Sequence, residues 1–364
     1  MSGATMNLTL SVRDESLRGR RLAALLSLLG QALVDEFPSG FDLVIAGSGG
    51  ERVRIYGGEA CRVGESVPIR STTLYDLASL TKVVVTTPLA LWLRDGGHWD
   101  LDHALQRWVP DYPHSETTLR ELLTHTSGLA AHFPFYRYAV GTTSIREALM
   151  REVAGKLGPH DVLYSDLNFM LLGWAIERCA GVSLDRLFRG VISRPLAMST
   201  ARFRPTPGQR RRTAATELDG DQRQGPGLVW GDVHDGNAFA MGGVSGHAGL
   251  FASAGDLTRF AMSLLGGSSP SILEESTVRE MARAAVGQSP EVRGLGWRVT
   301  PTEWGEWPPG TIWHTGFTGT SLLVAPGLDV AVVLLTNAIH PVRQMERQTT
   351  FREDLHQRVL EVVA

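Results

Sequence analysis

Tyr75-Asp76-Leu77-Ala78-Ser79-Leu80-Thr81-Lys82-Val83-Val84-Val85 is the stretch on which the reading of this chain turns. Ser79 and Lys82 stand three residues apart at the start of an apolar run. On a helix that spacing puts both on one face, one turn apart, with the amine in reach of the hydroxyl. A serine hydroxyl is a weak nucleophile until a base takes its proton. A lysine acts as that base when burial or nearby positive charge lowers its pKa, and the apolar residues after Lys82 predict burial. By itself the pattern equally describes a helix cap followed by a surface lysine, so the rest of the chain has to supply partners.

The chain has 364 residues, enough for one large domain or two intertwined ones with a sizeable core. Hydrophobic residues make up 43% and charged residues 20%, as in a globular protein. The net charge of -3 gives no basis for a nucleic-acid partner, and Arg210-Arg211-Arg212 reads as a solvated loop. Two cysteines, Cys61 and Cys179, are too few for a disulfide framework or a cysteine-rich metal site. Leu22, Leu25, Leu26, Leu29 and Leu33 follow helical spacing, and no small-x-small cleavage site follows them, so they predict an amphipathic helix rather than a signal segment. No run reaches 18 apolar residues, which predicts no membrane span. A cytoplasmic protein is expected.

Phe41 to Ala46 and Arg52 to Tyr56 predict a hairpin. The helix carrying Ser79 is expected to stop near Gly96-Gly97. Capping boxes at Thr118 and Ser144 predict helices from those positions. Asp166 precedes an apolar helix closed by Gly181, and Ser183 precedes another. Residues 202–249 read as a long loop-rich segment, followed by a helix over Leu257 to Leu265. Gly296 to Val299, Ile312 to His314, Ser321 to Val324 and Val330 to Leu335 predict strands, and the chain closes on a helix from about Gln344. Strands at both ends and helices between them predict an α+β architecture. An antiparallel sheet from both termini is flanked by helices, and a mostly helical domain is inserted. The expected boundaries are 1–75 with 231–364 for the sheet domain and 76–230 for the helical one, with the site at their interface.

Two further elements complete the constellation: Tyr164-Ser165-Asp166 ahead of a helix, and His314-Thr315-Gly316 at a strand end. Together with Ser79-x-x-Lys82, in this order, they resemble the serine hydrolases of the β-lactamase and penicillin-binding-protein superfamily. The branch most resembled holds class C β-lactamases, D,D-carboxypeptidases and β-lactamase-like esterases. Leu122 to Leu129, Pro195 to Met198 and Gly246 to Phe251 also look like family segments. The resemblance implies Ser79 as the acylated nucleophile, and Lys82 and Tyr164 as proton carriers. It places His314 at the third catalytic element and the backbone N–H groups of Ser79 and Phe317 as the oxyanion hole. Thr315 and Gly316 would line the substrate strand, Gly316 allowing close backbone approach.

Two departures matter. Asp166 stands where the family usually has Asn, and a carboxylate cannot donate to a substrate carbonyl. It either pairs with Lys82, which would raise the lysine pKa, or caps the following helix. His314 stands where β-lactamases often have Lys, and it carries less permanent positive charge. Both favour an esterase- or peptidase-like enzyme over an efficient β-lactamase. Phe133, Phe135 and Tyr136, clustered in a loop, are the expected substrate wall. Asp232, His234, Asp235 and His247 match no standard zinc spacing, so hydrogen bonding is expected of them and no metal or cofactor. His125 is expected to be a hydrogen-bonded turn residue.

The expected activity is hydrolysis of a small ester or amide through an acyl-enzyme. An acyltransferase would use the same residues on an alcohol or amine; a weak β-lactamase or D,D-carboxypeptidase is a further alternative. A non-catalytic binding module of the same fold fits less well, because Ser79, Lys82, Tyr164 and His314 are all present. The expected partner is a small ester, amide or acyl compound; the sequence leaves the oligomeric state open.

Overall fold

The structure is a computed structural model that describes residues 8–155, 157–159, 161–218, 227–266, 270–283, 286–287, 292–300 and 303–364. The strands are β1 (Thr9–Val12), β2 (Gly40–Gly47), β3 (Gly50–Cys61), β4 (Val67–Pro68), β5 (Tyr75–Asp76), β6 (Arg202–Phe203), β7 (Leu250–Ala252), β8 (Arg298–Val299), β9 (Ile312–Thr315), β10 (Ser321–Ala325) and β11 (Val330–Thr336). The α-helices are α1 (Arg20–Val34), α2 (Thr87–Asp95), α3 (Leu119–Thr124), α4 (Thr142–Glu152), α5 (Asp166–Ala180), α6 (Leu184–Phe188), α7 (Gly236–Ala240), α8 (Ala254–Leu265), α9 (Glu275–Met281) and α10 (Met345–Val363).

The main sheet runs β1-β3-β2-β11-β10-β9-β8, with β4 paired to β3. Its pairs are antiparallel, and both chain ends contribute, as the sequence predicts. Alternation along the central strands explains why they are buried on both faces. Phe41, Leu43 and Ile45 of β2, with Val330, Val332 and Leu334 of β11, pack with Leu25 and Leu29 of α1 and Leu355 and Val359 of α10. Val44 and Ala46, with Ala331, Val333 and Leu335, point the other way, into a core shared with α8, α2 and α5. Successive side chains on a strand face opposite sides, so one strand feeds two cores.

A second, three-stranded sheet, β5-β7-β6, delivers the Ser79 segment. After β5, Ala78 adopts a left-handed φ of 46°, and the chain turns sharply into a helix at Leu80. Lys82–Thr86 then form a π-turn before α2. Pro88 has no N–H to bond the carbonyl of Val84, which suits a wider turn at that point. Such turns recur at functional sites.

Local expectations differ in places. Ser144 lies inside α4, which starts at Thr142 after Gly141 in a left-handed conformation, so no box forms there. Thr118 and Glu121 do form the predicted box. The segment 202–249 contains β6 and α7, and its residues 219–226 lie outside the described residues.

The β9–β10 turn packs directly on the Ser79 segment. A Cβ at Gly316 would lie 2.6 Å from the Leu77 carbonyl oxygen and 2.1 Å from Thr320 Oγ1. Gly316→Ala should therefore lower stability by about 1–3 kcal/mol, the usual cost of overpacking. A urea midpoint unchanged from the parent would contradict this contact.

Candidate active site

Lys82 is wholly buried, and its ammonium group is fully committed. Nζ donates to Asp166 Oδ1 at 2.7 Å, to Ser79 Oγ at 3.0 Å and to the His247 carbonyl at 3.2 Å. The Asp166 carboxylate and the His247 carbonyl are obligatory acceptors, and the Ser79 hydroxyl takes the third hydrogen of an ammonium. Burial pulls the Lys82 pKa down, but the charge of Asp166 and then Tyr164 outweigh it and hold it above the ordinary lysine value. The expectation that burial makes Lys82 a free base is thus corrected, because the same burial comes with a carboxylate at contact distance. Asp166 is held well below the usual carboxylate range: burial pushes it up, and the Lys82 charge and a bond from His132 more than reverse this. Of the two readings of Asp166, pairing with Lys82 is the one observed. It is the first residue of α5, whose N-cap, Ser165, makes no side-chain cap bond.

Tyr164 stands just ahead of α5, half-buried, with its ring centre 4.9 Å from Lys82 Nζ and 5.2 Å from the Arg293 guanidinium carbon. His125 grips it from both sides in sequence. Its carbonyl accepts the Leu163 N–H at 2.9 Å, and its Nδ1 accepts the Ser165 N–H at 3.0 Å. Its left-handed φ of 59° ends α3 and turns both groups toward that segment. His125 is the hydrogen-bonded turn residue that the sequence predicts.

His314 lies 5.9 Å, ring to ring, from Tyr164, and is buried. Nδ1 is 2.9 Å from the Thr315 carbonyl, which makes it the N–H donor. Burial, then the charges of Arg293 and Lys82, press its pKa well below the ordinary value. It joins the site as a neutral ring and not as an anchor for anions. Thr315 is half-buried at the end of β9, and Gly316 meets Leu77 rather than open space. The Phe317 side chain is 37% exposed. Among the described residues, the N–H groups of Ser79 and Phe317 donate to no other protein group, as an oxyanion hole requires.

The aromatic wall needs revision. Phe135 and Tyr136 are 1% and 6% exposed, turned inward by a short helical turn, and Phe135 belongs to the main core. Phe133 is half-buried against that core. The neighbour that reaches the site is His132, exposed, with Nδ1 3.4 Å from Asp166 Oδ2, a bond that raises its pKa. Asp235 and His247 also gather there; their ligand atoms and one of Asp166 lie within 4.8 Å of one another. Each is hydrogen-bonded: Asp235 Oδ1 to the Ala238 N–H and His247 Nε2, and His247 Nδ1 to Ser245. His234 lies elsewhere, against Glu217 and Phe317.

A family model described as Beta-lactamase matches residues 31–357. The chain belongs to that family. A protein of Escherichia coli K12, provisionally named a D-alanyl-D-alanine carboxypeptidase, is 33% identical over 328 residues, covering 79% of this chain and 74% of its own. Among solved structures, simvastatin synthase from Aspergillus terreus superposes with a TM-score of 0.72 at 19% identity, covering 94% of this chain and 98% of that one. A hydrolase with promiscuous acyltransferase activity gives 0.72 at 22%, covering 97% and 100%. These two likenesses speak for the fold. The chain is thus a serine hydrolase of the beta-lactamase family. Among the described residues, no helix is long and apolar enough to cross a membrane.

The neutrality of the two buried rings has a measurable consequence. Below about pH 6.5 the unfolded chain binds a proton at His125 and at His314 that the folded chain refuses, so each loses stabilising free energy as pH falls. Imidazole 15N shifts at pH 5.5 should show both rings neutral. A protonated His314 at that pH would contradict the geometry.

Proposed function

We propose that the protein hydrolyses small esters or amides through an acyl-enzyme on Ser79. The observation that carries this reading is the three-way commitment of the Lys82 ammonium. A cation donating to Ser79 Oγ stabilises the alkoxide as it forms, and it leaves the proton to another group. Tyr164 carries the Ser79 proton toward the leaving group, accepting it while Oγ bonds to the substrate carbonyl carbon. Its ring stands beside two cationic groups, Lys82 and Arg293. The carbonyl oxygen, now negative, sits on the Ser79 and Phe317 N–H groups. Collapse breaks the bond to the leaving group, which takes the proton back from Tyr164. Water then repeats the sequence on the acyl-enzyme, restoring Ser79.

Esters are preferred over β-lactams in this reading. A neutral, buried His314 offers no charge to a substrate carboxylate. A peptidase acting on D-alanine-ended peptides is the second reading, favoured by the 33% identity to the E. coli protein. Transfer to an alcohol or amine uses the same steps with water replaced.

A fluorophosphonate should add once per chain at Ser79, seen by intact mass; labelling that persists in Ser79→Ala would defeat the assignment. Lys82→Ala and Tyr164→Phe should each lower turnover of p-nitrophenyl esters about 10²–10⁴-fold. Turnover within about threefold of the parent would remove that residue from the mechanism. The parent should show a higher kcat/KM for short-chain p-nitrophenyl esters than for nitrocefin or a D-alanyl-D-alanine peptide. The reverse order would replace the esterase reading with the one it favours.

A further inference from the structure

The two candidate oxyanion donors come from segments 238 residues apart in sequence, at Ser79 and Phe317. An oxyanion hole works only when both N–H groups reach one oxygen, so a shift of either segment disables it. Asp76 ties them together. Its Oδ1 accepts the Ala78 N–H at 2.9 Å, next to Ser79. Its Oδ2 accepts the His234 N–H at 2.7 Å, and its carbonyl accepts Thr318 Oγ1 at 2.7 Å, next to Phe317. The residue is 2% exposed. Its raised pKa follows from burial, which the two N–H bonds oppose.

His234 completes the tie from the other side. Its ring stacks on Phe317 with centres 5.5 Å apart and planes at 17°. Its Nε2 lies 3.0 Å from Glu217 Oε2. Glu217 also accepts two bonds from Arg343, at 2.5 and 2.7 Å, and the guanidinium carbon of Arg343 sits 5.5 Å from the centre of the same Phe317 ring. Burial raises the Glu217 pKa, but the bonds from His234 and Arg343 bring it down to about 2, so the carboxylate persists at any working pH. The Phe317 carbonyl is held too, by Gln348 Nε2 at 3.2 Å.

We propose that Asp76 and His234 are positioning residues that lock the Ser79 turn and the Phe317 segment into one oxyanion hole. This rests on the acyl-enzyme reading of Ser79. Asp76 owes its place to having two acceptor oxygens on one short side chain: each takes a backbone N–H from a different segment. Asparagine has the same shape but one acceptor, and its NH2 would face an N–H. Asp76→Asn therefore cuts one link without opening a cavity.

The test measures three quantities on the parent, Asp76→Asn, His234→Ala and His234→Phe. They are steady-state hydrolysis of p-nitrophenyl acetate, affinity for phenylboronic acid as a tetrahedral mimic, and amide hydrogen exchange by mass spectrometry. Asp76→Asn should lower kcat about 10–100-fold with KM within about threefold, and weaken the boronate by a similar factor. Exchange should quicken in both 76–80 and 315–320. His234→Ala should loosen 315–320 and lower kcat, whereas His234→Phe, which keeps a flat ring on Phe317, should hold kcat within about threefold. The proposal is overturned if Asp76→Asn keeps kcat and boronate affinity within threefold of the parent. It is equally overturned if exchange quickens in 76–80 alone, or if lost kcat merely follows lost folded protein. A parent with neither turnover nor boronate binding would end the acyl-enzyme reading, and the exchange data would still decide whether Asp76 couples the two segments.

Discussion

A buried ammonium is the constraint to which the rest of the site answers. Lys82 is fully enclosed, and an unpaired charge in such a place costs several kcal/mol. Asp166 removes that cost only from one position, the first turn of α5, so the helix after Ser79 and α5 must meet there. The His247 carbonyl closes the third direction. Loss of any one acceptor strands a hydrogen of the ammonium, which binds three separate segments of chain to one geometry. Ser79 is thereby held against a cation whether or not substrate is present, a form of preorganisation that needs no rearrangement at the moment of reaction.

The large sheet supplies rigidity to the other half of the site. Its central strands are packed on both faces, so β9 and β10 have no freedom to slide. The turn between them carries Gly316 and Phe317 onto the Leu77 carbonyl, with Thr318 and Thr320 hydrogen-bonding to Asp76 and Leu77. The Ser79 segment and the β9–β10 turn thus meet through backbone contacts, and side chains behind them hold the registration.

Much of this was legible in the sequence, for physical reasons that differ by element. The sheet from both ends followed from period-two apolar strands, and α1 and α10 from helical spacing. Ser79, Lys82, Tyr164 and His314 stand in short motifs on adjoining turns and strand ends, and the structure brings these four side chains together. What escaped was set by tertiary contact. Asp166 had two local readings, and only the fold puts Lys82 beside it. His314 looked ionisable until burial and Arg293 were seen around it. Phe135 and Tyr136 looked like a loop wall, but a single helical turn points them into the core. Asp76, His132, Glu217 and Arg293 belong to no motif read in the sequence; their longer-range partners lie from 17 to 158 residues away, as with Glu217 to His234 and Asp76 to His234. Asp76 sat inside the quoted stretch, and a short acid just before a sharp turn was the available signal.

The central claim is that Lys82 is a cation in the resting enzyme, held so by Asp166. Its side-chain 15Nζ resonance measures this directly. The account predicts an ammonium signal at about pH 9, well inside the ordinary protonated range of lysine, and an earlier loss of that signal with rising pH in Asp166→Asn. A neutral amine in the parent at about pH 8 would contradict the account, because Lys82 would then accept the Ser79 hydroxyl proton and itself be the base.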